Sequence, residues 1–213
     1  MSRGRNSHFG DYDRSVFINC PFDSRYRPFF DCIVFTVLHC GFRPRCALEI
    51  DDASQVRIDK IFSIIGECRF GIHDLSRTEL DRSSKLPRFN MPLDLGIFLG
   101  AKWYGRGRQA RKICLVLDRE PYRYQKFISD IAGQDIQAHG LDQAKATTVT
   151  RDWLRAGAKR SMPGGREIHR QYRRFERRLP ELCRRMKLAL SEMTFNDATN
   201  IAAEWLKIEL GAK

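Results

Sequence analysis

No apolar run in this 213-residue chain approaches the ~20 residues needed to cross a bilayer. No apolar stretch follows Met1-Ser2-Arg3-Gly4-Arg5-Asn6-Ser7 either, so a secretory leader is not expected and the cytoplasm is the default location. The seven cysteines (Cys20, Cys32, Cys40, Cys46, Cys68, Cys114 and Cys183) form no CxxC pair and have no ligand spacing. They are expected as buried reduced thiols, with no metal site. No G-x-G-x-x-G follows the first strand and there is no P-loop; Gly105-Arg106-Gly107 is too short and too late to be either. Internal repeats and low-complexity tracts are also absent.

What remains is a chain that is 42% hydrophobic and 30% charged, a composition that folds rather than staying disordered. The net charge of +12 is uneven. From Arg151 to Leu190 there are 13 Lys and Arg against 4 Asp and Glu, a local +9. Such a segment attracts nucleic acid, nucleotides or an acidic protein surface, or serves only as a solvated helical face.

Residues 1–13 read as a loose polar arm. Ser15-Val16-Phe17-Ile18-Asn19 is an apolar strand stopped by Pro21. Phe30, Ile33, Val34 and Val37 recur at helical spacing up to His39, with Gly41 as the closing glycine. Phe42 to Leu48 is a second strand, at an edge because of its arginines and Pro44. Ile58, Ile61, Phe62 and Ile65 predict an amphipathic helix, and Phe70-Gly71-Ile72-His73-Asp74 a third strand. A loop then leads to an apolar helix reaching about Tyr104. Lys112 to Leu117 is continuously apolar after its lysine, as a central parallel strand should be. A helix over 124–132 and a strand over 136–139 complete the alternation. The expected fold is α/β and flavodoxin-like: a parallel five-stranded sheet in the order 2-1-3-4-5, with helices on both faces. Helices over 142–157, 166–190 and 196–210 follow, the first closing an α/β domain over 14–158. Residues 159–213 form a basic C-terminal helical extension, with Ser161-Met162-Pro163-Gly164-Gly165 as a hinge.

In such a sheet ligands bind outside the carboxyl ends of the strands, at the switch point between strands 1 and 3. Those ends are Asn19-Cys20-Pro21-Phe22-Asp23 and His73-Asp74-Leu75-Ser76-Arg77. The helix after Arg88-Phe89-Asn90-Met91-Pro92 begins beside them, with Asn90 as its cap, Pro92 early and Asp94 in the first turn. Asp23, Asp74 and Asp94 can therefore converge with Asn19, Asn90, Arg77 and the Phe22 ring. One carboxylate can stabilise or trap an oxocarbenium-like centre while another manages a proton, and an aromatic ring can stack on a base. Each residue has a plainer role open to it. Asp23 can cap the next turn, Asp74 can bind loop amides, and Asp94 can answer the helix dipole. His73 can be a packed histidine, and Arg77 can pair with Asp74 or Glu79 or hold a phosphate. Glu49, Asp51 and Asp52 can reach a ribose hydroxyl or form an acidic helix start. Gly96 and Gly100 are expected to allow close helix–sheet packing.

Three segments together resemble the nucleoside 2-deoxyribosyltransferase-like and TIR-like group of flavodoxin-type domains. They are Val16-Phe17-Ile18-Asn19-Cys20-Pro21-Phe22-Asp23, Ile72-His73-Asp74-Leu75-Ser76-Arg77 and Asn90-Met91-Pro92-Leu93-Asp94-Leu95-Gly96. The resemblance covers about residues 14–140. It implies a nucleotide-type pocket and hydrolysis or transfer at the N-glycosidic bond of a nucleoside, a nucleotide or NAD as substrate, with no cofactor. Asp94 matches that group's helix-borne glutamate, shortened by roughly one carbon–carbon bond of 1.5 Å. Asp74 would contact sugar or base, and Asn19, Phe22, Asp23, Arg77 and Asn90 would position the ligand. Relatives of this kind also serve in bacterial defence as effectors or sensors, an analogy of fold alone.

The alternative is a non-catalytic nucleotide-binding signalling module. Its basic C-terminal helices would dock on nucleic acid or an acidic partner. In Tyr172-Arg173-Arg174-Phe175-Glu176-Arg177-Arg178 the arginines would meet phosphates and the aromatics would stack on bases. Equally, Phe175 can be tucked inward beneath a solvated face. A homo-oligomer is compatible with either reading.

Overall fold

Strand β1 (Ser15–Asn19) is buried along its whole length because neighbours cover both its faces. It lies between the short edge strand β2 (Arg43–Arg45) and β3 (Phe70–Asp74). Strands β4 (Ile113–Asp118) and β5 (Gln137–Ala138) complete a parallel sheet in the order β2-β1-β3-β4-β5. This is the expected flavodoxin-like α/β topology. The computed structural model describes residues 11–50, 54–80 and 85–211. Most of the expected N-terminal arm, and Asp51 and Asp52, lie outside the described residues.

Successive side chains of a strand point to opposite faces. Val16, Ile18, Phe70, Ile72, Leu115 and Leu117 enter one hydrophobic cluster, whereas Phe17 and Val116 serve clusters on the other face. Helices α1 (Arg27–His39) and α4 (Gln143–Ala158) pack together and share the first cluster. Helices α2 (Arg57–Gly66) and α3 (Asn90–Tyr104) pack together across the sheet from them. Right-handed crossovers require this division. At the end of α1, Gly41 takes φ +73° and the Phe42 N–H bonds back to the Val37 carbonyl, so the expected closing glycine is in place.

The two C-terminal helices, α5 (Gly165–Arg185) and α6 (Phe195–Gly211), add a layer over α1. Phe35 of α1 lies 5.3 Å from the Phe175 ring and 5.9 Å from Trp205, so these helices share the cluster that covers the sheet. All seven cysteines are unpaired; six are buried and Cys114 is half-buried.

Several local expectations are corrected. The apolar spacing of Tyr124, Ile128 and Ile131 does not make a helix over 124–132. Two short 3-10 turns, Arg123–Lys126 and Ser129–Ile131, stand there instead. Arg123 donates to Asp118 Oδ1 at 2.8 Å and to the Leu75 carbonyl, which ties the segment to the top of the sheet and overrides its periodicity. The strand expected over 42–48 contracts to Arg43–Arg45, and the helix expected to reach 190 stops at Arg185. Asn90 is the first helical residue rather than the cap. Phe89 takes the cap position without a side-chain bond, so Asp94 falls in the second turn.

Gly96 and Gly100 do not serve helix–sheet packing: a Cβ on either would meet no atom within 4 Å. Each forgoes about 1 kcal/mol of helix propensity with nothing among the described residues requiring it. Glycines that do permit close approach include Gly71, where a Cβ would lie 2.7 Å from the Phe98 ring and 2.9 Å from His73 Nε2, and Gly157 of α4, where one would lie 2.5 Å from Ile113 and 2.8 Å from Phe70 of the sheet.

Candidate functional site

Asn19 and His73 end adjacent strands in register. The Asn19 Nδ2 donates to the Met91 carbonyl at 2.8 Å and lies 3.1 Å from His73 Nδ1. An amide nitrogen only donates, so His73 Nδ1 accepts and the ring proton sits on Nε2. That Nε2 is buried with no partner. Burial, reinforced by the nearby Lys112, pushes His73 down to about 3, so it is a neutral packed histidine at physiological pH. The Asn19 amide nitrogen is likewise spent, pinning the start of α3 to the end of β1.

Asp94 projects from the sheet-facing half of α3 and is 8% exposed. Among the described residues none donates a hydrogen bond to its carboxylate or forms an ion pair with it. Burial pushes the carboxyl up to about 6, and Arg57 at the start of α2 opposes the rise. At neutral pH this carboxyl is mostly ionised, in a place that solvates it poorly.

A cleft of about 650 Å³ opens beyond the carboxyl ends of β3 and β4. Among the described residues its walls carry four arginines, Arg25, Arg77, Arg88 and Arg119, and one carboxylate, Glu79. Asp23 sits behind them: Oδ1 accepts from Arg77 at 3.0 Å and Oδ2 from Arg88 at 3.0 Å. The same carboxylate accepts the backbone N–H groups of Arg25 and Tyr26, which opens the turn into α1. Asp23 thus caps that turn and holds two guanidinium groups at the cleft. The partner of Arg77 is Asp23, not Asp74 or Glu79; Glu79 pairs with Arg119 instead. Asp94 does not line this cleft.

Tyr26 and Ser76 form part of the cleft floor, and Asp74 lies beneath them, fully buried. Its Oδ2 accepts from the Tyr26 hydroxyl and from His139 Nε2 at 3.1 Å, and Oδ1 accepts the Ser76 N–H at 2.8 Å. The Leu141 N–H donates to His139 Nδ1 at 3.1 Å, which places the His139 proton on Nε2, facing Asp74. Burial alone would raise the Asp74 carboxyl, but the bonds from His139, Ser76 and Tyr26 outweigh it and hold it below the usual carboxylate range. Asp74 is therefore a satisfied anion that positions the floor. It binds a loop amide, and its oxygens are closed to a ligand.

The three expected carboxylates do not share one crevice. Asp23 is tied to arginines and Asp74 to the floor, and Asp94 has no partner among the described residues. Phe22 is half-buried edge-on against Phe30, 5.4 Å between centroids, and packs into the core rather than walling a pocket. Asn90 is an exposed first-turn residue of α3. Glu49 pairs with Arg45 beside the edge strand.

On α5, Arg173 pairs with Glu176 at 2.6 Å, Arg174 with Glu209 at 2.9 Å and Arg178 with Glu181 at 2.9 Å. Arg177 makes no ion pair among the described residues. Tyr172 and Phe175 are buried against Phe35, so these aromatics are not free to stack on bases. Exposed pairs of this kind hold their arginines weakly, about 0–1 kcal/mol each.

The sequence reading missed Arg25, Arg88, Arg119, Tyr26 and His139. A usable signal was present: Arg119 follows β4 and His139 follows β5, so both stand at carboxyl ends of strands, where the ligand rule for open sheets applies. Among the described residues no three His, Cys, Asp or Glu side chains cluster as a metal site, and no helix is long and apolar enough to cross a membrane. No protein-family model, curated protein or solved structure matches the chain.

Proposed function

We propose that the chain binds a nucleotide at the carboxyl edge of its sheet and hydrolyses or transfers at the N-glycosidic bond, with Asp94 as the working carboxylate. One observation carries this reading: Asp94 alone of the three candidate carboxylates is unspent. It is almost buried and has no hydrogen-bond donor among the described residues, and burial lifts its carboxyl to about 6. An ionised carboxylate that burial leaves poorly solvated is stabilised by positive charge arriving beside it. An oxocarbenium-like sugar in the transition state supplies such charge, so the interaction is strongest when it accelerates the reaction.

The arginine cleft supplies the complementary half. Four guanidinium groups, two held by the shared Asp23 and one by Glu79, leave an excess of positive charge among the described residues that suits a phosphate or diphosphate, for which arginine forks are well shaped. Arg88 lines the cleft and stands just ahead of α3, and from Asn90 to Asp94 the helix rises only ~6 Å. A nucleotide phosphorylated at the sugar is long enough to reach from one to the other. NAD or a simple nucleotide is then the substrate, and no cofactor enters.

The test is incubation with nucleosides, nucleotides and NAD, read by chromatography for released base. Release that Asp94→Asn abolishes, with the fold retained, supports the reading; release unchanged in Asp94→Asn overturns it. A second reading, a nucleotide-binding signalling module without turnover, is favoured by Asp94 being one methylene shorter than glutamate and lying outside the cleft. Misplacement by about 1 Å can cost ~100-fold in rate. Nucleotide binding without base release would establish that second reading.

A further inference from the structure

Helix α3 is apolar on both sides, yet only one side is buried. Of its fifteen residues only Asp94 and Lys102 are charged, and Asp94 lies on the sheet-facing side. Successive residues of a helix turn by ~100°, which places Phe89, Leu93, Gly96, Gly100, Trp103 and Tyr104 on one outward arc about 100° wide. The four large side chains of that arc are open to solvent: Phe89 65%, Leu93 55%, Trp103 78% and Tyr104 91% exposed. A surface helix ordinarily turns a charged face outward.

We infer that this face of α3 is a homodimer interface, occupied by the same helix of a second copy packed antiparallel. Area is the first argument. Large aromatic side chains carry about 150–250 Å² each, so at these exposures the three aromatics together with Leu93 open on the order of 600 Å². That is the upper end for any apolar patch on a monomer and most of the ~800 Å² that each partner of a stable complex buries.

Self-complementarity is the second argument, and it selects a second copy over another protein. Leu93 and Trp103 stand five residues either side of Phe98, and Gly96 and Gly100 two residues either side. A two-fold axis crossing the outward face at the level of Phe98, whose own ring is buried on the opposite side, sets Leu93 of each copy against Trp103 of the other, and Gly96 against Gly100. A two-fold interface demands this pairing of i with j and j with i. Both glycines have open space where a Cβ would stand, so two backbones can approach closely at the axis. The glycines that nothing among the described residues requires are thereby accounted for.

Sedimentation equilibrium of the full chain tests this, with Leu93→Lys, Trp103→Glu and the double variant beside it. These side chains are exposed, so the variants are expected to fold, and circular dichroism checks that they do. The wild-type protein is expected at twice 24.8 kDa at micromolar concentration. Each single variant is expected to weaken association by about tenfold or more, as loss of a central anchor does. In the double variant the introduced lysine faces the introduced carboxylate of the other copy, and association is expected to recover. A monomeric wild-type protein, or single variants that stay dimeric, overturns the interface; single variants that dissociate without recovery in the double variant overturn the antiparallel pairing.

Discussion

Replacing Asp94 by asparagine is expected to make the folded protein more stable at neutral pH. In the folded chain the carboxyl titrates at about 6, against 3.8 when free in water. Between those two values the native state binds more protons than the unfolded state, so the stability that Asp94 contributes is complete below about 3.8 and is lost as pH rises through about 6. At ~1.36 kcal/mol per pH unit, and discounted because solvent still reaches the carboxylate, the ionised form at neutrality costs about 1–2 kcal/mol relative to the protonated one. Asparagine keeps the shape and removes the charge, for a gain of about 1–2 kcal/mol. For a chain of this size that is a rise of roughly 2–8 °C in melting temperature. Urea denaturation of both proteins, followed by tryptophan fluorescence from acid to neutral pH, is the assay. The other titrating groups are common to both proteins and cancel in the difference. The gap should close as pH falls below about 4. An Asp94→Asn protein no more stable than wild type at neutrality, or a gap that does not change with pH, would refute the view of Asp94 as a poorly solvated anion.

Three further outcomes follow from the same geometry. If ionised Asp94 does the chemistry, base release should rise with pH through about 6; a flat profile across that range would detach Asp94 from the reaction. Asp74→Ala strands the Tyr26 hydroxyl, His139 Nε2–H and Ser76 N–H together. It should cost about 3 kcal/mol or more by chemical denaturation, and an unaltered midpoint would show that the network is dispensable. Gly71→Ala drives a Cβ into the Phe98 ring and should cost about 1–3 kcal/mol, whereas Gly96→Ala meets open space and should not loosen the fold of the monomer; equal losses at both positions would contradict the packing described.

Most of the sheet was legible before any coordinates. Strands β1, β3 and β4 announce themselves because a strand covered on both faces must be apolar throughout, and runs such as Val16-Phe17-Ile18 and Ile113-Cys114-Leu115-Val116 have no other stable place in water. Their alternation with helices, under right-handed crossovers, leaves few strand orders, and 2-1-3-4-5 is the one observed. The edge position of β2 was written in Pro44, which cannot donate to a ladder on both sides.

The candidate site was legible only as a neighbourhood. Local sequence places Asp23, Asp74 and Asp94 near the carboxyl ends of strands. It does not say which of them is already consumed by partners far along the chain. Asp74 is satisfied by Tyr26 and His139, 48 and 65 residues away, and Asp23 by Arg77 and Arg88, 54 and 65 residues away. Pairings across such separations exist only after the chain has folded, because no short-range pattern records them. The same holds for α3: its apolar spacing reads as a buried helix, and only the finished packing shows that the face bearing Trp103 and Tyr104 was left uncovered. Hydrophobic periodicity, a local property, thus determined the elements and their order. Which carboxylate stays free, which arginines line one cleft and which apolar face awaits a partner were decided by tertiary contacts, since each depends on what distant segments bring to the same place.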